Sequence, residues 1–208
     1  MHPYLTRLGV RPEVQRYFRP FFHADEFGNL IFPYGDEKEH YGFAFHRVPI
    51  TDECWFAGNF HFEQVRLIIL SSSALDAISW LNKKFHTIAH TQDLLFVSFG
   101  AGISMVQLRW LRERLIRKKY QFIFTNDLLG RMADVKVAAA IRGWPISVYV
   151  PDDHKIAVRF RAAKFLFSQN DFSLSAFEKA AGARFGIAVT KPKLHNSFFD
   201  ELKAEAGL

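Results

Sequence analysis

Short apolar runs that alternate with stretches of helical periodicity constrain this chain more than any other feature. The runs are Val65–Leu70, Leu94–Phe99, Gln121–Phe124 and Ile146–Val150. Helices are expected from Ser73 to near Phe85, from near Ser104 to Lys119, and from near Leu128 to Arg142, where Gly143 and Pro145 end the pattern. A continuous apolar run implies a strand covered on both faces. Right-handed crossovers place helices on both faces of such a sheet. The expected fold is therefore α/β, a mostly parallel four-stranded sheet flanked by helices. Ligands of such sheets gather at the carboxyl ends of the strands. Here those ends are Ser71–Ser73, Gly100–Gly102, Thr125–Asp127 and Pro151–Asp153.

Before residue 62 the texture differs. Arg11–Phe18 suits a short helix, with Pro12 in its first turn and Pro20 stopping it. Asn29–Phe32, Gly42–Val48 and Cys54–Ala57 suit strands of a small antiparallel meander. After Pro151 the pattern weakens: Lys164–Phe167 suits a strand, Ser173 or Ser175 a helix start, and Lys191–Leu208 a partly ordered tail. The expected organisation is an amino-terminal helix and β-meander over 1–62, an α/β core over 63–155, and a carboxy-terminal extension over 156–208.

Composition adds exclusions. The 208 residues are 49% hydrophobic and 23% charged, which disfavours disorder, collagen and coiled coil. With 23 Phe, the core should be aromatic-rich. One cysteine, Cys54, excludes an internal disulfide and any zinc site with two thiolates. No signal-peptide pattern opens the chain, and the longest uncharged stretch, Leu94–Leu108, has 15 residues, short of a membrane span. A soluble, cytoplasmic protein without a membrane partner is expected.

The strand-end residues carry a resemblance. Leu67–Ser79 (LIILSSSALDAIS), Phe96–Ser104 (FVSFGAGIS) and Phe122–Ile141 (FIFTNDLLGRMADVKVAAAI) resemble the ordered segments of a Toprim domain, in the primase-like subgroup. In that subgroup the first strand ends in Glu-Ser-Pro-Ile-Asp-Ala-Leu-Ser, matched here by Ser72 to Ser79. The third ends in Phe-Asp-Asn-Asp followed two residues later by Gly-Arg, matched by Phe124–Asp127, Gly130 and Arg131. The resemblance covers roughly residues 63 to 155. It implies a metal-binding α/β fold in a replication or mobile-element setting.

The departures weaken that chemistry. The family's catalytic Glu falls on Ser72, and the first Asp of its Asp-x-Asp pair falls on Thr125. Asp127 and Asp76 remain. Magnesium is held by carboxylates and phosphates, and neutral hydroxyls replace carboxylates poorly. Ser72, Asp76, Thr125 and Asp127 are therefore expected to form a vestigial metal or phosphate pocket, with no catalytic residue, no bound metal and no cofactor. Ser73 and Asp127 equally suit helix caps. The alternative is an active Mg²⁺-dependent nucleotidyl or phosphodiester enzyme using Asp127, Asp76 and Asp152 or Asp153.

Other patterns carry less. Gly100-Ala101-Gly102 lacks the third glycine of a dinucleotide fingerprint, Met105 standing in its place. His86 and His90 have helical spacing but no third ligand. The formal charge is +6, and its excess is concentrated: Arg109, Arg112, Arg114, Arg117, Lys118 and Lys119 face only Glu113 within eleven residues. Leu108, Leu111 and Leu115 make the expected buried stripe. Arg109, Trp110, Arg114, Arg117 and Lys118 are the candidate nucleic-acid contacts, with Trp110 placed to stack on a base among cations that grip phosphates. A solvated helix face is the competing reading. The expected partner is nucleic acid, bound weakly and without sequence preference. A protein-interaction module remains a third possibility.

Overall fold

The computed structural model describes residues 1–152 and 155–208. Helices α1 (Pro3–Arg7) and α2 (Pro12–Phe18) each begin on a proline, whose missing N–H is no loss in a first turn. Strands β1 (His23–Ala24), β2 (Leu30–Tyr34), β3 (Glu37–Tyr41) and β4 (His46–Arg47) pair antiparallel in chain order. An antiparallel meander is expected here, but β1 and the charged β3 are not among its expected strands, and of Gly42–Val48 only His46–Arg47 is strand. Then come β5 (Trp55–Gly58), β6 (Leu67–Ser71), α3 (Ala74–Lys84), β7 (Leu94–Ser98), α4 (Met105–Arg114), β8 (Lys119–Phe122) and α5 (Leu128–Arg142). The chain closes with β9 (Ile146–Asp152), β10 (Lys155–Phe160), β11 (Ala163–Ser168), α6 (Leu174–Ala181), β12 (Ala188–Val189) and α7 (Phe198–Glu205).

The central sheet has the order β12-β8-β6-β7-β5. β12, β8, β6 and β7 are parallel, and β5 runs antiparallel at the edge. The fold is α/β with mixed and antiparallel sheets. The three runs of the core do form parallel neighbours, Leu70 facing both Val97 and Phe122. Their lack of alternation has a visible cause. Ile68, Leu70, Leu95, Val97 and Phe122 face a core shared with α4, α5, α6 and β10. Ile69, Phe96 and Ile123 face the other, with Phe18, Phe32, Trp55, Leu75 and Phe198. Each fully buried Ile or Leu here contributes about 1.5–3 kcal/mol.

Three expectations are corrected. Ile146–Val150 is not a fourth parallel strand: β9 pairs antiparallel with β10 in a separate β11-β10-β9 sheet. Of these five residues only Val148 is buried, so the run is an exposed-edge strand that its composition does not separate from a buried one. The place beside β8 is taken by β12, two residues from the expected extension. Second, Cys54–Ala57 does not join the meander: β5 pairs with β7. Third, Lys191–Leu208 is not a loose tail, because α7 buries Phe198, Phe199 and Leu202 against α3.

Candidate functional site

At the end of β6, Ser73 begins α3. Its hydroxyl accepts from Asp76 N–H at 3.0 Å and donates to Asp76 Oδ2 at 2.8 Å. The other Asp76 oxygen accepts from Phe199 N–H at 3.0 Å. Asp76 is buried, and burial pushes its carboxyl up to about 6, opposed by the Phe199 N–H and Ser73 hydrogen bonds. At the end of β8, Asp127 begins α5: its Oδ1 accepts from Gly130 N–H and from the Thr125 hydroxyl, both at 2.8 Å. Gly130 sits where a Cβ would lie 2.0 Å from the Thr125 carbonyl oxygen, so only glycine lets the loop close on the helix. Arg131 donates back to the Asp127 carbonyl at 3.2 Å and toward Asn170 at 3.3 Å. Ser72 is half-buried and makes no hydrogen bond among the described residues. Asp153 lies outside the described residues, and Asp152 ends β9 in the separate sheet.

The structure thus brings the β6 and β8 ends side by side and places the carboxy-terminal segment across both. Asn126 donates its N–H to Asn196 O at 2.6 Å and its side-chain amide to Pro192 O at 3.3 Å. Lys191 reaches beneath: its Nζ lies 3.1 Å from Phe124 O, 3.0 Å from Thr125 O and 2.7 Å from Asp134 Oδ2. Burial pushes Asp134 up to about 6 and lowers Lys191, while their mutual attraction opposes both shifts. A third buried acidic side chain stands on the other side. Glu39 of β3 accepts from Tyr34 OH and His46 Nε2, each at 2.9 Å, and from Ala74 N–H at 2.7 Å at the start of α3. A carboxylate there is favoured by the unpaired N–H groups of the helix end.

The polar atoms at these strand ends are mostly committed to partners within the protein. Asp76 spends both oxygens on Ser73 and Phe199, Asp127 has one oxygen on its helix cap and the Thr125 hydroxyl, Ser72 and Thr125 offer neutral hydroxyls, and an ammonium already lies against the β8-end carbonyls. Among the described residues no group of three or more His, Cys, Asp or Glu is placed to hold a metal. His86 lies in a short 3₁₀ turn and His90 in extended backbone, so their spacing is not a helix face. Cys54 is buried, and burial pushes its thiol up to about 12.

The basic segment has a different character. α4 starts with a capping box, Ser104 and Gln107 exchanging hydrogen bonds at 2.8 and 3.2 Å. Leu108, Leu111 and Leu115 are buried as expected. The helix ends at Arg114, not Lys119, so Arg117 and Lys118 lie in a turn and Lys119 opens β8. Arg117 adopts φ +59°, a left-handed backbone uncommon for a non-glycine residue. Arg109, Arg112, Arg114 and Arg117 are exposed, and among the described residues none of the six cations pairs with a carboxylate. Lys118 Nζ donates to Glu63 O at 3.1 Å. Trp110 departs from the expectation of an accessible stacking ring. It is half-buried, its ring centroid 4.8 Å from that of Phe56 and 6.0 Å from that of Phe62.

Sequence reasoning missed Glu39, Asp134, Lys191 and Arg142. Glu39 lies in a charged strand, Glu37–Tyr41, that has no apolar pattern to announce it, and Asp134 and Lys191 find each other only through the fold. Comparisons with protein-family models, curated proteins and solved structures gave no significant match.

Proposed function

We propose that the protein is a catalytically silent, Toprim-like α/β protein that binds nucleic acid through its phosphates, weakly and with little regard to sequence. The observation that carries this reading is the run of six cations from Arg109 to Lys119 without a carboxylate partner among the described residues. Surface arginines without partners keep all their donors for a ligand, and phosphates suit their fork geometry. Three parallel strands in the order β8-β6-β7, with the Ser72–Asp76 and Thr125–Asp127 loops adjacent, support the Toprim-like part. The caps, the Lys191 ammonium and the crossing 190–199 segment support the silence of its metal site.

Anisotropy titrations of labelled single- and double-stranded DNA test this. If about three cations engage, log affinity should fall with log salt at a slope of roughly −2 to −3. Replacing Arg114 and Arg117 by Ala should flatten the slope by about 1.4–1.8. Absence of binding at about tens of micromolar protein in low salt would remove the reading.

One observation favours a protein-interaction module instead. Ile50, Met105 and Val106, at and beside the start of α4, are 82%, 73% and 55% exposed. Exposed apolar side chains grouped beside a basic helix suit a protein contact.

A further inference from the structure

At the amino-terminal end of β8, opposite the strand-end loops, a cavity of about 510 Å³ opens between the end of α4, the 115–118 turn and the end of α5. Its charged wall is Arg112, Arg117, Lys118 and Arg142, and among the described residues no Asp or Glu lines it. A site of this size accommodates a small organic ligand. Four basic side chains in one concavity repel one another, and among the described residues no acidic side chain on their wall offsets them. Such an arrangement suits an anion with several charged oxygens.

The Arg142 guanidinium is held in place rather than loose. Arg142 donates through Nε to Phe185 O at 2.7 Å and through Nη2 to the same oxygen, which fixes its plane at the wall. A Cβ on Gly186, at φ +67°, would lie 3.0 Å from Arg142 Nη2. A Cβ on Gly143, at φ +68°, would lie 3.5 Å from Arg112 Nη1. At Gly186 the missing side chain thus lets backbone and guanidinium approach closely, whereas Gly143 is the left-handed cap of α5 in ordinary contact with Arg112. The left-handed Arg117 sits on the same rim, and such unusual backbone conformations gather at ligand clamps. Ile116 and Ile187 give the cavity an apolar side.

We propose that this cavity is a phosphate-ester site, with Arg112, Arg117 and Arg142 gripping a di- or triphosphate and the apolar side taking the attached group. A nucleoside polyphosphate has that chemistry, and so does a strand end carrying phosphates. The site does not depend on the nucleic-acid reading, although Arg117 and Lys118 belong to both.

The test uses the full-length protein with adenosine triphosphate, pyrophosphate and a labelled single-stranded oligonucleotide. ATP and pyrophosphate at about ten times Kd should each raise Tm by about 3–6 °C. Arg112→Ala with Arg117→Ala should weaken ATP binding at least about tenfold, since each loses a charge-assisted contact. Neither side chain has a partner among the described residues, so the free variant should melt near wild type. Arg142→Lys, which keeps the charge but loses the fork and its two contacts with Phe185 O, should also weaken ATP, and its melting temperature without ligand shows what those contacts contribute to folding. If ATP displaces the oligonucleotide, the phosphates belong to the strand; if both bind together, to a nucleotide. No stabilisation by either small phosphate, or ATP binding unchanged in the Arg112/Arg117 variant, would overturn the site. ATP failure with intact strand binding sinks this proposal alone, and strand failure with intact ATP binding sinks only the nucleic-acid reading.

Discussion

Lys191→Met removes the ammonium that joins the carboxy-terminal segment to the β8 end, while keeping most of the apolar stem. Asp134, whose side chain is 2% exposed, then loses its ion partner, and the Phe124 and Thr125 carbonyls lose a donor. Breaking a buried pair from one side costs about 3–5 kcal/mol, because the remaining charge stays desolvated. For a chain of this size that is a fall in Tm of roughly 6–20 °C. The cost should shrink to about 1–3 kcal/mol near pH 5, where Asp134, already raised to about 6 by burial, carries a proton and only unsatisfied polar groups remain. Urea denaturation at both pH values gives the magnitude, and amide exchange over 190–205 reports whether α7 loosens first. The double variant Lys191→Met, Asp134→Leu should be more stable than the single one. A single variant within about 1 kcal/mol of wild type at pH 8 would refute the reasoning, since no buried pair behaves so.

Asp76 and Asp134 both have folded-state carboxyls raised to about 6, chiefly by burial, against an ordinary 3.8. The folded protein therefore binds protons more tightly than the unfolded chain between those values, and stability should fall as pH rises through about 6, by on the order of 1–3 kcal/mol per group. Asp76→Asn keeps an acceptor for Phe199 N–H and should reduce this dependence; an undiminished dependence in urea midpoints would count against it. Trp110→Ala should act on stability, costing about 2–3 kcal/mol through lost contacts with Phe56 and Phe62, somewhat less than a fully buried tryptophan. Unchanged stability with weakened single-strand binding would restore Trp110 as a stacking residue.

The sequence made β6 and β7 legible because they are buried on both faces and almost continuously apolar, whereas β8 (Lys119–Phe122) alternates and begins two residues before the expected Gln121–Phe124 run. Helix starts were equally legible, since Ser73, Ser104, Asp127 and Ser173 all accept from N–H groups of the first turn. β9 misled because a short apolar run looks alike in a parallel and an antiparallel strand. β12 is two residues long and carries no pattern of its own. Glu39, Asp134 and Lys191 are charged residues buried only because distant segments supply their partners, and local periodicity contains no trace of that. At the candidate site, the charge cluster was plain in the chain, but its division between helix, turn and strand was not. Arg142 joins that cluster from 23 residues beyond Lys119, through packing of α5 against α4.

On the proposed function, ligand binds the basic surface around α4 rather than the strand-end loops. Amide hydrogen exchange of the full-length protein, with and without a single-stranded oligonucleotide at low salt, locates the ligand directly. Exchange should slow in 109–120, extending to 141–143 and 185–187 if the cavity takes a phosphate, and stay unchanged at 71–76 and 125–131. Protection confined to 71–76 and 125–131, with the basic segment unaffected, would contradict this placement.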